Sequence, residues 1–336
     1  MQKAVEELKK KINELLNFNK ILIINDYDID SCASASILYR ILKTNNVEVE
    51  HLTLSKGVEN RIIEKLKEKN PEKIVVVDYV PTEELAEELK HFSTTILDHH
   101  THEKHLEKLD YYTTADFTKT YAALSYWLYL VSKEYNIEKI EWLAELGCFW
   151  DKCMENTEFY EKDVYKKKMD KMIPFNIFVS FTQTRGAEKI VEVFNTSSDF
   201  EDALEKIKNS ENYKKSKETF EHELGYIEAS KKEYEELNLN IFYVNTKFKH
   251  MRVFVDYITF QNKGTHIFIL NEITRFKFSF RTSLEINLVE IIRNLSEKIP
   301  EFGGGGHPKA CGGMLKNREI ENFLKMFKEE YKKIML

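Results

Sequence analysis

Three short apolar runs in this chain each end in residues that bind cations. Lys20-Ile21-Leu22-Ile23-Ile24 leads into Asn25-Asp26-Tyr27-Asp28-Ile29-Asp30. Lys73-Ile74-Val75-Val76-Val77 leads into Asp78, and Ser93-Thr94-Thr95-Ile96-Leu97 into Asp98-His99-His100. Carboxylates and imidazoles at the exit of a buried strand are costly in a plain core, where polar groups must be paired or coordinate a metal. The three strand ends therefore predict one metal site assembled from distant parts of the chain.

Each motif has a plainer reading. Asp26-x-Asp28-x-Asp30 suits hard divalent ions, with a solvated acidic turn as the alternative. An EF-hand is excluded, because no glycine stands at the sixth loop position and the flanks are strand and helix. Asp78 also reads as a helix N-cap, since Pro81 and Thr82 follow. Read together with the histidines, both favour metal. Where the backbone is extended, His99 and His100 point apart, so one ligates while the other faces substrate. His102 and His105 read as solvated loop residues. Asp151, at the end of an apolar helix, reads alone as a surface acid. Carboxylates with one imidazole fit Mn²⁺ best, with Mg²⁺ or Co²⁺ as alternatives. Five or six such ligands leave room for two ions, which clamp the attacking and leaving oxygens of an in-line phosphoryl displacement.

A second constellation lies near the C-terminus. Of the eleven glycines, six fall in Phe302-Gly303-Gly304-Gly305-Gly306-His307-Pro308-Lys309-Ala310-Cys311-Gly312-Gly313. Consecutive glycines expose backbone N–H groups, and such a nest binds phosphate oxygens. His307 and Lys309 add donors. Arg281, one of only eight arginines, precedes this loop by one strand–helix unit, and its planar fork suits a phosphate.

The elements that position these residues follow from periodicity. Val5, Leu8, Ile12, Leu15 and Leu16 give an amphipathic helix over 1–18. Strands at 20–24, 47–54, 73–77 and 93–97 alternate with helices at 31–44, 59–69 and 82–91. That alternation predicts an α/β fold with a doubly wound parallel sheet, whose ligands bind outside the carboxyl ends of the strands. Helices are expected over 119–135 and 137–150, then a lysine- and glutamate-rich helical connector. Within the connector, 202–237 reads as one helix or two. Strands at 239–244, 251–257, 266–270 and 276–282, with helices at 286–295 and 317–334, form a second, smaller α/β domain. The expected organisation is a catalytic domain over 1–160, a helical connector over 161–237 and a substrate-binding domain over 238–336.

Composition narrows the class. Of 336 residues, 42% are hydrophobic and 32% charged, as in a soluble globular protein. No apolar run reaches the roughly 18 residues of a membrane span, and the charged N-terminus lacks a signal-peptide core. Cys32, Cys148, Cys153 and Cys311 are scattered, which predicts reduced thiols in the cytoplasm. A net charge of −6 argues against a broad basic nucleic-acid face but leaves a narrow groove open.

In this order the motifs resemble those of the DHH phosphoesterases that carry a DHHA1 C-terminal domain. Asp26-Tyr27-Asp28-Ile29-Asp30 is similar to the first motif of RecJ-type nucleases, Asp78 to the second and Asp98-His99-His100 to the third. Ala144-Glu145-Leu146-Gly147-Cys148-Phe149-Trp150-Asp151 is similar to the fourth, and the glycine-rich stretch with Arg281 to the DHHA1 substrate motif. Ser31 stands where the family usually has glycine, and Cys311 where it has alanine. The resemblance implies that Asp28, Asp30, Asp78, His99 and Asp151 are metal ligands. It carries Asp26 over as a ligand or near-ligand at the reaction centre. His100 becomes a catalytic residue on the substrate side, orienting the scissile phosphate or the attacking water. It further implies that Arg281, Gly304, Gly305, Gly306 and His307 hold the terminal phosphate or nucleotide.

The Asp-Tyr-Asp form resembles the archaeal RecJ-like branch. The nanoRNase branch usually begins this motif with histidine, where Ile24 stands here. The expected activity is a two-metal, Mn²⁺-dependent exonuclease on single-stranded DNA or RNA that releases nucleoside monophosphates. The rivals are an oligoribonuclease or 3′-phosphoadenosine phosphate phosphatase, and a non-catalytic replication or repair scaffold. The resemblance allows a homodimer and partners from replication, repair or RNA decay.

Overall fold

The computed structural model describes residues 1–54, 59–101, 104–160, 162–244, 246, 251–272, 274–316 and 320–335. Side chains at 59–61, 162–169, 183–185 and 307 lie outside that description, as does His102. The chain divides into two compact units, Met1–Ser216 and Lys217–Leu336.

The first unit is built on five strands: β1 (Lys20–Asn25), β2 (Glu48–Thr53), β3 (Lys73–Val77), β4 (Thr94–Asp98) and β5 (Asp110–Thr113). They pair in parallel in the order β2-β1-β3-β4-β5. Helices α1 (Gln2–Leu15), α2 (Ile29–Thr44), α3 (Glu59–Lys69) and α4 (Glu83–Leu89) alternate with the strands. All five residues of β3 and of β4 are buried, as a parallel sheet covered on both faces requires. The strand order reverses between β1 and β3, and that switch point opens a crevice at their carboxyl ends. β5 is absent from the sequence expectation, because four residues, Asp-Tyr-Tyr-Thr, are too few to show a period.

Helices α5 (Leu124–Ser132), α6 (Glu141–Trp150), α7 (Lys162–Thr196) and α8 (Phe200–Asn209) complete this unit. α5 begins five residues later than the apolar pattern predicts, and α6 four. Of the region read as a connector, α7 packs on α2: Arg40 Nη2 donates to the carbonyls of Phe194, at 2.6 Å, and Ser197, at 2.7 Å.

After α9 (Glu211–Ala229) come β6 (Lys232–Tyr234), β7 (Leu239–Val244), α10 (Arg252–Gln261), β8 (Thr265–Glu272) and β9 (Arg275–Thr282). α11 (Leu288–Lys298), β10 (Phe302–His307), β11 (Ala310–Leu315) and α12 (Ile320–Met335) end the chain. The sheet order is β10-β11-β9-β8-β7-β6. Leu239, Ile241, Ile267, Phe278 and Phe280 share one core with Ile291, Leu295, Phe323 and Phe327 of α11 and α12.

Two expectations are corrected here. The segment 251–257, rich in β-branched and aromatic residues, is helical. β7 and β8 pair in parallel, and a parallel pair needs a crossover, which α10 supplies. The glycine-rich stretch is not an irregular nest but a hairpin, paired from Phe302↔Leu315 to His307↔Ala310. Glycine is required where the strands close up. A Cβ on Gly304 would stand 2.6 Å from the Gly312 carbonyl oxygen, and Gly306 has φ +141°. β10 is the sheet's edge, so four glycines leave a strip of backbone there without side chains.

Candidate metal centre

The sheet exits place the predicted residues. β1 ends at Asn25, and Asp26 and Asp28 lie on the loop before α2, with Asp30 in its first turn. Asp28 caps α2 by accepting from Ser31 N at 2.8 Å. Asp26 Oδ1 accepts from Tyr27 N at 2.7 Å. Asp78 follows β3 directly, with φ +52°, a left-handed conformation that aspartate tolerates better than most residues and that concentrates at functional sites. His99 and His100 follow β4, and Asp151 follows α6.

Two ligand sets form among the described residues, Asp78–Asp98–His99–His100 and Asp30–His99–Asp151. His99 belongs to both. Its Nδ1 lies 3.0 Å from the Ala122 carbonyl, which can only accept, so the proton sits on Nδ1 and the Nε2 lone pair points inward. Nε2 stands 3.1 Å from Asp78 Oδ1, 3.3 Å from Asp151 Oδ2 and 3.9 Å from Asp30 Oδ2. Asp26 and Asp28 fall outside these sets.

The electrostatics call for positive charge. Burial, then the carboxylates of Asp30, Asp28, Asp151 and Asp98, push Asp78 well above the ordinary carboxylate range. Burial disfavours charge on His99, but Asp30, Asp151 and Asp98 outweigh it and raise its pKa. His99 Nε2 and Asp78 Oδ1 are buried without a hydrogen-bond partner among the described residues. Two buried acceptors brought this close fit neighbouring ligands of a divalent cation, and the donor set of oxygens with one imidazole nitrogen is that of Mn²⁺ or Mg²⁺.

Asp98 is satisfied by protein alone. Its Oδ1 accepts from His99 N and His100 Nδ1, each at 2.7 Å, and its Oδ2 from Tyr111 Oη at 2.9 Å. Burial opposes its charge, yet the hydrogen bond to His100 holds its pKa below the usual range. The same bond pushes His100 up to about 9. Asp98 thus orients His100, whose side chain is half exposed.

Other supports have little sequence signal. Ser31 Oγ accepts from Asp26 N at 2.8 Å and donates to Val77 O at 3.0 Å, stapling the acidic loop to the end of β3. Residues 121–125 form a strap in which every member serves the site or its frame. Tyr121 Oη donates to Asp151 Oδ2 at 3.4 Å, and Ala122 O holds His99. Ala123 N donates to Cys153 Sγ at 3.2 Å. Leu124 N and Ser125 N donate to the two oxygens of Asp30 at 2.8 and 3.1 Å. Asp30 therefore caps α5, which is why that helix starts late. Burial, then Asp151, keeps the Tyr121 phenol protonated by raising its pKa.

In the second unit, Arg281 Nη1 donates to the carbonyls of Phe280 at 2.9 Å and Cys311 at 3.4 Å. Its Nε lies 3.7 Å from Asp256 Oδ1. Gly304, Gly305 and Gly306 are exposed in β10. Lys309 Nζ bonds the Leu284 carbonyl and pairs with Glu285 at 3.1 Å. The side chain of His307 lies outside the described residues. His105 Nε2 contacts the Pro81 carbonyl at 2.7 Å. Among the described residues, no helix is long and apolar enough to cross a membrane.

Residues 20–148 match the N-terminal domain of the DHH family, and residues 237–333 match the DHHA1 domain. No curated protein sequence matches the chain. In fold it is similar to RecJ from Thermus thermophilus in complex with Mn²⁺, with TM-score 0.64 and 16% identity over 98% of this chain and 55% of that one. This chain thus spans about half of that RecJ's length. It is similar to the DHH domain of a member of the s1p family of ribosomal proteins, with TM-score 0.69 and 16% identity over 99% and 91%. An exopolyphosphatase-related protein from Bacteroides fragilis gives TM-score 0.57 and 15% identity over 99% and 96%. At these identities the likeness is one of fold.

Proposed function

The chain belongs to the DHH/DHHA1 family of metal-dependent phosphoesterases, and from that premise we propose a two-metal phosphodiesterase that removes nucleoside monophosphates from an end of single-stranded DNA or RNA. The observation that carries this reading is the pair of ligand sets sharing His99, with its Nε2 and Asp78 Oδ1 buried and unpartnered among the described residues. Asp30, Asp78, His99 and Asp151 are assigned to hold the cations, with Asp28 and Asp26 contributing from the loop. Mn²⁺ is the assigned ion. Divalent ions held there would neutralise charge on the phosphoryl group and would lower the pKa of an attacking water.

The protein's own residues do the rest. Asp98 fixes the His100 ring through Nδ1, which leaves Nε2 to contact a phosphate oxygen or the attacking water. In the second unit, Arg281 has Nη1 committed to two carbonyls, so a terminal phosphate would take Nη2. The edge strand β10 turns the N–H groups of Gly304 and Gly306 to its open side, whereas alternation in the antiparallel pair commits that of Gly305 to Gly312 of β11, so Gly305 contributes only its lack of a side chain. The cysteines are buried free thiols, which fits a reducing cytoplasm.

The test uses end-labelled single strands of RNA and DNA, from dinucleotide upward, with Mn²⁺, and Asp151→Ala as the control. Stepwise shortening of long strands, absent in the control, is expected. Cleavage confined to the shortest oligomers would replace the exonuclease with an oligoribonuclease or nucleotide phosphatase. No cleavage of any strand would overturn the nuclease reading and leave a nucleotide phosphatase or a binding scaffold.

A further inference from the structure

The strap over 121–125 turns one large side chain outward. Ala122, Ala123, Leu124 and Ser125 are buried, whereas Tyr121 is 42% exposed. Its ring nevertheless lies beside His99, with centroids 5.5 Å apart and planes 35° apart. Both ends of the residue are held. The hydroxyl reaches Asp151, and the carbonyl accepts from Asn156 Nδ2 at 2.8 Å. Tyr121 and Tyr160 are the exposed large aromatics described in the first unit, and Tyr121 is the one that touches two candidate ligands.

We propose that Tyr121 is a further substrate-contacting residue of this site, the platform on which the nucleobase next to the scissile phosphate stacks. This rests on the phosphodiesterase reading and names how the site recognises its substrate. A tyrosine already anchored at its hydroxyl and its backbone loses little freedom on binding, and it offers contact area at low entropic cost. Every base has a π-face, so such a platform is tolerant of sequence and selects unstacked strands. Its place against His99 and Asp151 puts the base within one side chain of the cluster. The ring thereby separates nucleic acids from simple phosphate esters, which the carboxylates alone do not.

The test pairs substrate with variant, using the full chain with Mn²⁺. One substrate is a short single strand, and the other is the same strand with an abasic site as the terminal residue. Wild-type protein is expected to prefer the base-bearing strand about tenfold to a hundredfold in KM, the range of one base–aromatic stack. Tyr121→Leu removes that preference, whereas Tyr121→Phe and Tyr121→Trp keep it. A ring that merely orients Asp151 would change both substrates equally, so an undiminished preference in Tyr121→Leu overturns the proposal. Mn²⁺ binding, read by electron paramagnetic resonance, and the melting temperature identify a variant that has lost the site or the fold. If wild-type protein cleaves neither strand, the phosphodiesterase reading fails. Anisotropy of the labelled strands then reads the same preference by binding alone, and equal binding of the two by wild-type protein overturns the stack.

Discussion

His99 Nε2 and Asp78 Oδ1 stand 3.1 Å apart, both buried and neither with a hydrogen-bond partner among the described residues. With Nδ1 protonated toward Ala122, these are two acceptors facing each other, an arrangement that only a proton or a cation relieves. Mn²⁺ should therefore stabilise the protein. At a hundredfold excess over Kd the gain is about 2.7 kcal/mol, seen as a rise in Tm that chelation reverses. His99→Ala removes an atom shared by both ligand sets and should abolish the rise. A Tm indifferent to Mn²⁺ and to chelator would sink the metal assignment.

Ser31 should matter more than its size suggests. Its hydroxyl joins the Asp26 amide to the Val77 carbonyl, so Ser31→Ala takes a partner from a half-buried donor and from a buried acceptor. The expected cost is about 1–3 kcal/mol. Mn²⁺ affinity should fall about tenfold, as for other groups that orient a ligand from behind. Calorimetric titration with Mn²⁺ checks this, and unchanged affinity would confine Ser31 to a packing role.

These two cases mark what the sequence made legible. β1, β3 and β4 are continuous apolar runs because their sheet is buried on both faces, and their acids follow at once, so strands and site candidates were readable together. Ser31 was visible only as a small residue, because its role lies in contacts 46 and 5 residues away along the chain. The strap was invisible for a stronger reason. Ala122, Ala123, Leu124 and Ser125 act through backbone N–H and C=O, which every sequence carries alike. β10 read as a loop because four glycines have no side-chain period from which pairing is inferred. α10 read as a strand because β-propensity reflects packing context as much as backbone preference, and here the parallel β7–β8 pair demanded a crossover.

The second unit should lose stability in acid through Glu330. Lys298 Nζ at 2.6 Å and Lys333 Nζ at 2.7 Å reach its Oε1, and Asn294 Nδ2 reaches Oε2 at 3.2 Å. These bonds hold its carboxyl down to about 2. The folded pKa lies below the unfolded one, so the contribution is complete above about pH 4.3 and is lost as pH falls toward 2. Both lysines are well exposed, which limits the gain to about 1 kcal/mol or less. Glu330→Gln should lower stability at neutral pH and flatten its decline between pH 4 and 2. Denaturant titrations across that range measure both, and parallel pH profiles for the two proteins would refute it.

Gly147 is the tightest point behind the site. A Cβ there would lie 2.0 Å from Ser125 Oγ and 2.2 Å from Asp30 Oδ1, so Gly147→Ala drives a methyl group into the cap that fixes Asp30 to α5. Overpacking of this kind costs about 1–3 kcal/mol. Here it also displaces a candidate ligand, so metal affinity should fall further than stability does. Gly147→Ala combined with Ser125→Ala separates the two effects. Removing the Ser125 hydroxyl relieves one contact, and part of the lost Tm should return. The contact with Asp30 persists, so Mn²⁺ binding should remain weak. Recovery of both together would mean that the glycine serves only helix packing and that Asp30 tolerates displacement.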